Sequence, residues 1–335
     1  MSTSGAVTET VSEKEAGSRL DRWIKRRVQL TQGQVEKLLR TGQVRVDGAR
    51  AKANTRLEAG QSVRLPPFGE GAYRGKAEKI EKVANVSARD AAFIRDLVIY
   101  QDDDLIALNK PAGIAVQGGT KQGRHIDGLL AALADEDGNR PKLVHRLDRD
   151  TSGVLVLARH PAAAARLGDL FKSRDMDKVY WAVTVGAPVP REGQLRSWMV
   201  KGSGPGEDRE KMQPGRQGQE GARHAITDYV TISTAAQRAA WVALKPHTGR
   251  THQLRFHLQE LGTAILGDTK YTTAREVPGG VGQGLHLHAR GIVIPRKSGR
   301  DLVITAPLPP HMVETFEALG FLEEEAGGDL MEPFA

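Results

Sequence analysis

The segment His145-Arg-Leu-Asp-Arg-Asp-Thr-Ser-Gly153 places one carboxylate, Asp148, between two arginines and just ahead of a turn. Positive charge from Arg146 and Arg149 within a few ångströms favours an ionised carboxylate. That suits a nucleophile or a base and not a general acid. Thr151-Ser152-Gly153 is turn chemistry, and the apolar run Val154-Leu-Val-Leu-Ala158 behind it reads as a buried strand. Asp148 therefore stands on a loop fixed to a rigid element, where reactive groups are commonly carried. On spacing alone, a charged residue before a strand more often forms a surface ion pair, so the rest of the chain must decide.

Other constellations exclude chemistry. There are no cysteines, which removes disulfides, thiolate catalysis and Cys-ligated zinc and points to a reducing compartment. His252 and His257 are spaced for different helix faces with no Glu between them, and His286 and His288 have no convincing third ligand. A metal is therefore not expected. Gly118-Gly119 and the glycines at 279 to 284 match neither a Walker loop nor a dinucleotide fingerprint and read as turns.

The elements that must position Asp148 form an α+β chain. Strands are expected over 97–100, 105–108, 154–157, 179–185, 226–232 and 241–244, with helices over 126–133, 162–171 and 252–261. Strands follow one another without intervening helices, so a mixed, largely antiparallel sheet is favoured over a doubly wound one. This catalytic-type domain is assigned to residues 96–320. Residues 201–223 are Gly-rich and charged and read as a mobile insertion. The stretch 321–335 reads as an acidic, loose tail.

Upstream, Leu20, Trp23, Ile24 and Val28 fall at helical spacing, as do Val35, Leu38 and Leu39. Gly42 stops the second helix, Asp47-Gly48 is a hairpin turn, and Val63-Arg-Leu65 closes a small sheet. Residues 17–75 thus form a helix-helix-hairpin unit, after a disordered leader over 1–16 and before a linker over 76–95. Twelve Lys and Arg face four Asp and Glu between Gly17 and Pro67, so this one segment carries the chain's net charge of +7. Localised excess of this kind marks a polyanion-binding module. Arg19, Arg22 and Arg26, with Lys37 and Arg40, recur at helical steps opposite the apolar stripes and are its candidate contacts. The N-terminus lacks a secretory pattern and no apolar stretch is long enough to span a membrane, so a cytoplasmic protein is expected.

His145-Arg-Leu-Asp148 followed by Thr-Ser-Gly, an apolar strand and Ala158-Arg159 resembles the signature of the RluA-type RNA pseudouridine synthases. Phe171, Arg174, Lys178 and Tyr180 have the spacing of that family's second motif. Thr248-Gly-Arg-Thr-His-Gln-Leu-Arg-Phe-His-Leu258, with Gly267-Asp268 and Tyr271, resembles a third. The helix-helix-hairpin unit resembles an S4-type RNA-binding domain. The resemblance implies an isomerase that turns uridine into pseudouridine with no redox step and no cofactor. It also implies roles: Asp148 attacks, Tyr180 stacks on the base and takes the C5 proton, and Arg255 is the basic partner of Asp148. Arg146 fills the space left by a flipped nucleotide, while Arg250 and His252 touch phosphate or hold the site together. Asn109-Lys-Pro-Ala-Gly113 and Ala115-Val-Gln-Gly-Gly119 look closest to the RluC branch, which modifies large-subunit (23S) ribosomal RNA, although Gln117 stands where a histidine is more usual. The implied partner is RNA, met by a monomer. A transfer-RNA target, or a non-catalytic RNA-binding assembly factor, are the alternatives, and the site of aspartate attack stays open between C1′, the uracil ring and an elimination route.

Overall fold

The computed structural model describes residues 6–68, 86–118, 124–173, 175–202, 211–296 and 299–335. In chain order the elements are β1 (Val7–Thr10), α1 (Leu20–Arg27), α2 (Gln32–Arg40), β2 (Arg45–Val46), β3 (Ser62–Leu65), α3 (Ala88–Asp96), β4 (Val98–Gln101), β5 (Leu105–Lys110), α4 (Ile126–Leu129), β6 (Lys142–Leu143), β7 (Ser152–Ala158) and α5 (Pro161–Ser173). They continue with β8 (Asp177–Val185), β9 (Glu192–Lys201), β10 (Met212–Pro214), β11 (Arg223–Ala235), β12 (Ala239–Pro246), α6 (Gln253–Glu260), β13 (Leu287–Ile294), β14 (Leu302–Thr305) and α7 (Pro310–Leu319). The chain forms two compact units. One comprises Met1–Ile106, Asp127–His145 and Val156–Asp169, the other Ala107–Ile126, Arg146–Leu155 and Leu170–Ala335. Stretches beyond residue 96 therefore belong to the same unit as the basic N-terminal segment, which a consecutive division of the chain does not anticipate.

In the first unit, Leu20, Trp23 and Ile24 of α1 and Val35 and Leu39 of α2 are buried together with Val44, Val63 and Leu65. Asp47 and Gly48 both take positive φ, 48° and 78°, the two-residue turn that matches strand twist, and it returns Ala49 against Val46. The expected disordered leader is partly ordered: Val7–Thr10 pairs antiparallel with β3. Arg27 stacks 3.6 Å over Trp23 and pairs with Glu9 and with Glu15 at 2.8 Å, so the leader's acidic residues have a buried-edge partner that composition does not reveal. The last part of the expected linker is α3, capped by Ser87 and anchored by buried Ile94; residues 69–85 lie outside the described residues.

In the second unit the strand order β10-β9-β11-β12-β8-β13 is antiparallel throughout, with β14 also on β13. The start of β7 joins β13 in parallel, Ser152 opposite His288 and Gly153 opposite Ala289. The result is the mixed, largely antiparallel sheet of an α+β fold. Side chains alternate along β8. Val179, Trp181 and Val183 enter an aromatic core with Trp241, Phe316 and Phe321, where Trp181 and Trp241 meet edge to face at 4.6 Å. Tyr180 consequently faces the other way, toward Leu244, Leu254 and Leu287.

Two further expectations are corrected. The acidic tail is not loose: Phe321 and Ala326 are buried in the aromatic core, Leu330, Met331 and Phe334 lie against it, and Glu323 pairs with Arg290 at 2.9 Å. Apolar residues interleaved with the glutamates account for this. The insertion at 201–223 carries β10, hydrogen-bonded to β9; its residues 203–210 lie outside the described residues, as do Gly119 and Arg174.

Candidate active site

Asp148 sits in the turn ahead of β7, closed by Thr151 N–H on the Asp148 carbonyl at 3.3 Å. Gly153, the second residue of β7, follows that turn. It takes φ 105°, and a β-carbon there would lie 2.2 Å from the Ala289 carbonyl oxygen, so only glycine lets β7 meet β13. Behind the turn, Lys110 is fully buried and donates to the carbonyls of Pro111, Ile114 and Arg149 at 2.8, 2.9 and 2.9 Å. Burial pushes its amine down to about 8. All three ammonium protons are satisfied, and one secures the peptide next to Asp148. Sequence reasoning noted Lys110 only within a motif; a lysine closing an apolar strand was the available signal.

The flanking arginines do not pair with Asp148 as their spacing suggests. Arg149 turns to Asp150 at 3.0 Å, and Arg146 is exposed at the mouth of a cavity. Asp148, Tyr180, Arg250, His252, Arg255 and Thr248 line that cavity too. Among the described residues no side chain hydrogen-bonds the Asp148 carboxylate; its nearest ion-pair partner is His252, Nε2 to Oδ2 at 4.0 Å. Arg255 lines the same cavity, but its fork grips Asp268, Nε to Oδ2 at 2.7 Å and Nη2 to Oδ1 at 2.6 Å. The fork of the expected basic partner of Asp148 is thus spent on another carboxylate, and Arg255 reaches Asp148 only through its charge, which Asp268 and Asp148 both help to hold against burial. Burial, and then the charge of Asp148, push the Tyr180 phenol well above the usual tyrosine range. The phenol is therefore held neutral.

The loop 248–252 is held by one side chain. Gln253 donates to Ile226 O and Thr227 Oγ1 at 2.9 and 2.8 Å, and accepts from Thr248 Oγ1 and Arg250 N at 2.7 and 3.1 Å, which uses both its donors and its oxygen twice. Arg250 Nε adds a bond to His224 O at 3.1 Å. His252 is only 10% exposed and set against Asp148, which suits the second of the two roles implied by its motif, holding the site together, better than a phosphate contact. Among the described residues no group of three His, Asp or Glu is arranged to hold a metal.

In the basic segment, Arg22, Lys37 and Arg40 are exposed. Arg19 and Arg26 are engaged by partners within the segment. Arg19 precedes α1 rather than lying on it and forks onto buried Asp21 at 2.7 and 3.1 Å, while Arg26 donates to Ser18 Oγ at 2.9 Å. Lys142, not singled out from sequence, lies within electrostatic reach: burial, then Arg26 and Arg22, push its amine down to about 8.

A carboxylate left open beside an aromatic side chain, in a chain whose N-terminal segment is basic, fits an enzyme that acts on a base within RNA. The family described as RNA pseudouridylate synthase matches residues 104–260, and the S4 domain matches residues 18–63. A Ribosomal large subunit pseudouridine synthase C of Rickettsia felis is 35% identical over 304 residues, 89% of this chain and 96% of that protein. RNA pseudouridine synthase 4, mitochondrial, of Arabidopsis thaliana is 32% identical, covering 89% of this chain and 78% of its own. Among solved structures, Human RNA Pseudouridylate Synthase Domain Containing 4 superposes with a TM-score of 0.59 at 30% identity, over 69% of this chain and 97% of that one. The chain belongs to the RNA pseudouridine synthase family, carries an S4 domain, and is an RNA-modifying isomerase. No described helix is long and apolar enough to cross a membrane.

Proposed function

We propose that this enzyme isomerises specific uridines of large-subunit (23S) ribosomal RNA, as a cytoplasmic monomer, with Asp148 as the nucleophile. The observation that carries the reading is the Asp148 carboxylate, free of side-chain hydrogen bonds among the described residues and facing a cavity beside Tyr180. The similar Rickettsia proteins, named for the large subunit, support the choice of RNA.

The reaction breaks the bond from N1 to C1′, turns the uracil and joins C5 to C1′; the C5 proton leaves and N1 is protonated. The target base must first leave its stack, at a cost of a few kcal/mol. Arg146, exposed and lining the cavity, occupies the vacated space in this reading. Asp148 then bonds the sugar or the ring, giving a covalent intermediate. Tyr180 supplies an aromatic face. Its role as base for the C5 proton needs the phenol to ionise against burial and the Asp148 charge; an ester on the ring would remove that charge at this step, whereas on the sugar route joining C5 to C1′ has already released the carboxylate. Arg250 contacts phosphate near the cavity, and Arg22, Lys37 and Arg40 of the basic domain contact it further along the RNA.

Pseudouridine mapping of total RNA from cells with and without this gene tests the target. Sites lost from large-subunit ribosomal RNA are expected; losses confined to transfer RNA would replace this reading, and no losses at all would leave the basic domain of an assembly factor as the better one.

A further inference from the structure

His252 has a backbone cost and no task in the steps above. It is a non-glycine residue at φ 54°, ψ 20°, left-handed, at the N-terminus of α6. Such conformations persist where the surroundings over-determine them. Here Gln253 clamps the preceding loop, and the His252 ring stands edge-on to Tyr271, centroids 5.6 Å apart at 85°. The conformation places the two ring nitrogens between two different partners.

Hydrogen counting assigns the tautomer. The Tyr271 oxygen accepts the Met212 N–H at 2.7 Å, so its own proton is left to donate. Among the described residues, His252 Nδ1, at 3.1 Å, is the acceptor within reach. An imidazole accepting at Nδ1 carries its proton on Nε2, and Nε2 is the nitrogen facing Asp148 Oδ2 at 4.0 Å. Burial, the largest influence on the ring, outweighs the opposing pull of Asp148 and favours the neutral form this requires. Tyr271 is itself fixed: its N–H binds Asp268 Oδ1 at 2.9 Å, and the Arg255 guanidinium lies 5.3 Å over its ring.

We propose that His252 is the positioning residue of the nucleophile: when RNA fills the cavity, its Nε2–H closes on Asp148 Oδ2 and leaves the other oxygen aimed at the nucleoside, with Met212 N–H and Tyr271 O–H setting the tautomer. The gap of 4.0 Å is too long for a hydrogen bond in the free enzyme, as is common for catalytic contacts that tighten on substrate binding. Met212 belongs to β10, so the insertion after β9 reaches the aspartate through two side chains. The proposal rests on the reading of Asp148 as nucleophile.

The test uses full-length protein and an unmodified large-subunit ribosomal RNA transcript, with pseudouridine formation followed in single turnover at saturating enzyme and RNA affinity measured separately. His252→Ala and Tyr271→Phe should each slow the step on the order of 10²-fold, the scale of a misplaced reacting group, with RNA affinity unchanged. His252→Gln, which restores a donor near Nε2, should recover most of the rate. The double variant should be no slower than His252→Ala alone, because both act through one contact. A purely structural histidine gives neither the split between rate and affinity nor the rescue. Wild-type rates in both single variants, an effect on affinity alone, or additive losses overturn the proposal. If Tyr271→Phe unfolds, the comparison of His252→Ala with His252→Gln still decides. Asp148→Asn separates the two readings: if it is inactive and the His252 variants are not slowed, only the positioning role fails, and if it remains active both fall.

Discussion

Asp148 and Asp268 lie in the same unit and are treated in opposite ways. Asp268 is buried and accepts four hydrogen bonds, from Arg255 Nε and Nη2 and from the N–H groups of Lys270 and Tyr271. Asp148 is 23% exposed and accepts none from a side chain among the described residues. A carboxylate held by four hydrogen bonds keeps geometry and is a poor nucleophile; one whose oxygens accept none from a side chain is open to a substrate. The pairing of Arg255 with Asp268 therefore leaves the Asp148 oxygens open, as the proposed nucleophile requires, while keeping a positive charge within its reach.

Removing the open carboxylate should have the largest effect. Asp148→Asn keeps the shape and is expected to lower the rate of pseudouridine formation by about 10⁴-fold or more, the scale of losing a nucleophile, with RNA binding intact in a filter assay; retained activity would dissolve the contrast. Removing the saturated one should act on folding. Asp268→Ala leaves a buried guanidinium unpaired and is expected to cost about 3–5 kcal/mol in urea unfolding, whereas an unchanged midpoint would mean that the ion pair is not structural.

Histidines extend the comparison. His257, His286 and His288 are buried with ring nitrogens bonded to Ser197 and Thr227, to Thr315 and Gly284, and to Ser152 and Ala306. Burial pushes each down to about 4 from an ordinary 6.5. The unfolded chain therefore binds protons that the folded one refuses: no penalty exists above about pH 6.5, and stability is lost as the pH falls toward 4. The urea midpoint should decline across that window, and His257→Gln should flatten the decline. The smallest effect belongs to the basic domain. Arg22→Gln or Arg40→Gln should each reduce the slope of log affinity against log salt by about 0.7–0.9, while Arg19→Gln, whose fork is already committed to Asp21, should leave the slope unchanged.

Local chemistry was legible in the sequence where one residue type answers one need. Helices α1 and α2, the Asp47-Gly48 turn, the buried run of β7 and the strand carrying Tyr180 all follow from periodicity and turn residues. The reactive loop and its cavity partners Tyr180, Arg250, His252 and Arg255 were named from motifs, and the fold brings them together. What pairs with what was not legible. Asp268 competes for Arg255 and Asp150 for Arg149 because a side chain takes the partner that three-dimensional reach supplies. The order in the leader and the tail was hidden for a similar reason: Glu9 and Glu323 look solvated until Arg27 and Arg290 are placed beside them. Strand β13 was not expected because His288 and Arg290 interrupt its apolar run.

The pairing of Ser152 with His288 has a consequence in time. The loop bearing Asp148 gains its backing strand from a segment 136 residues further along the chain. At a synthesis rate of about 5–20 residues per second, that segment leaves the ribosome on the order of ten seconds after the loop. The nascent chain thus completes its basic N-terminal segment well before the strand that backs the Asp148 loop exists.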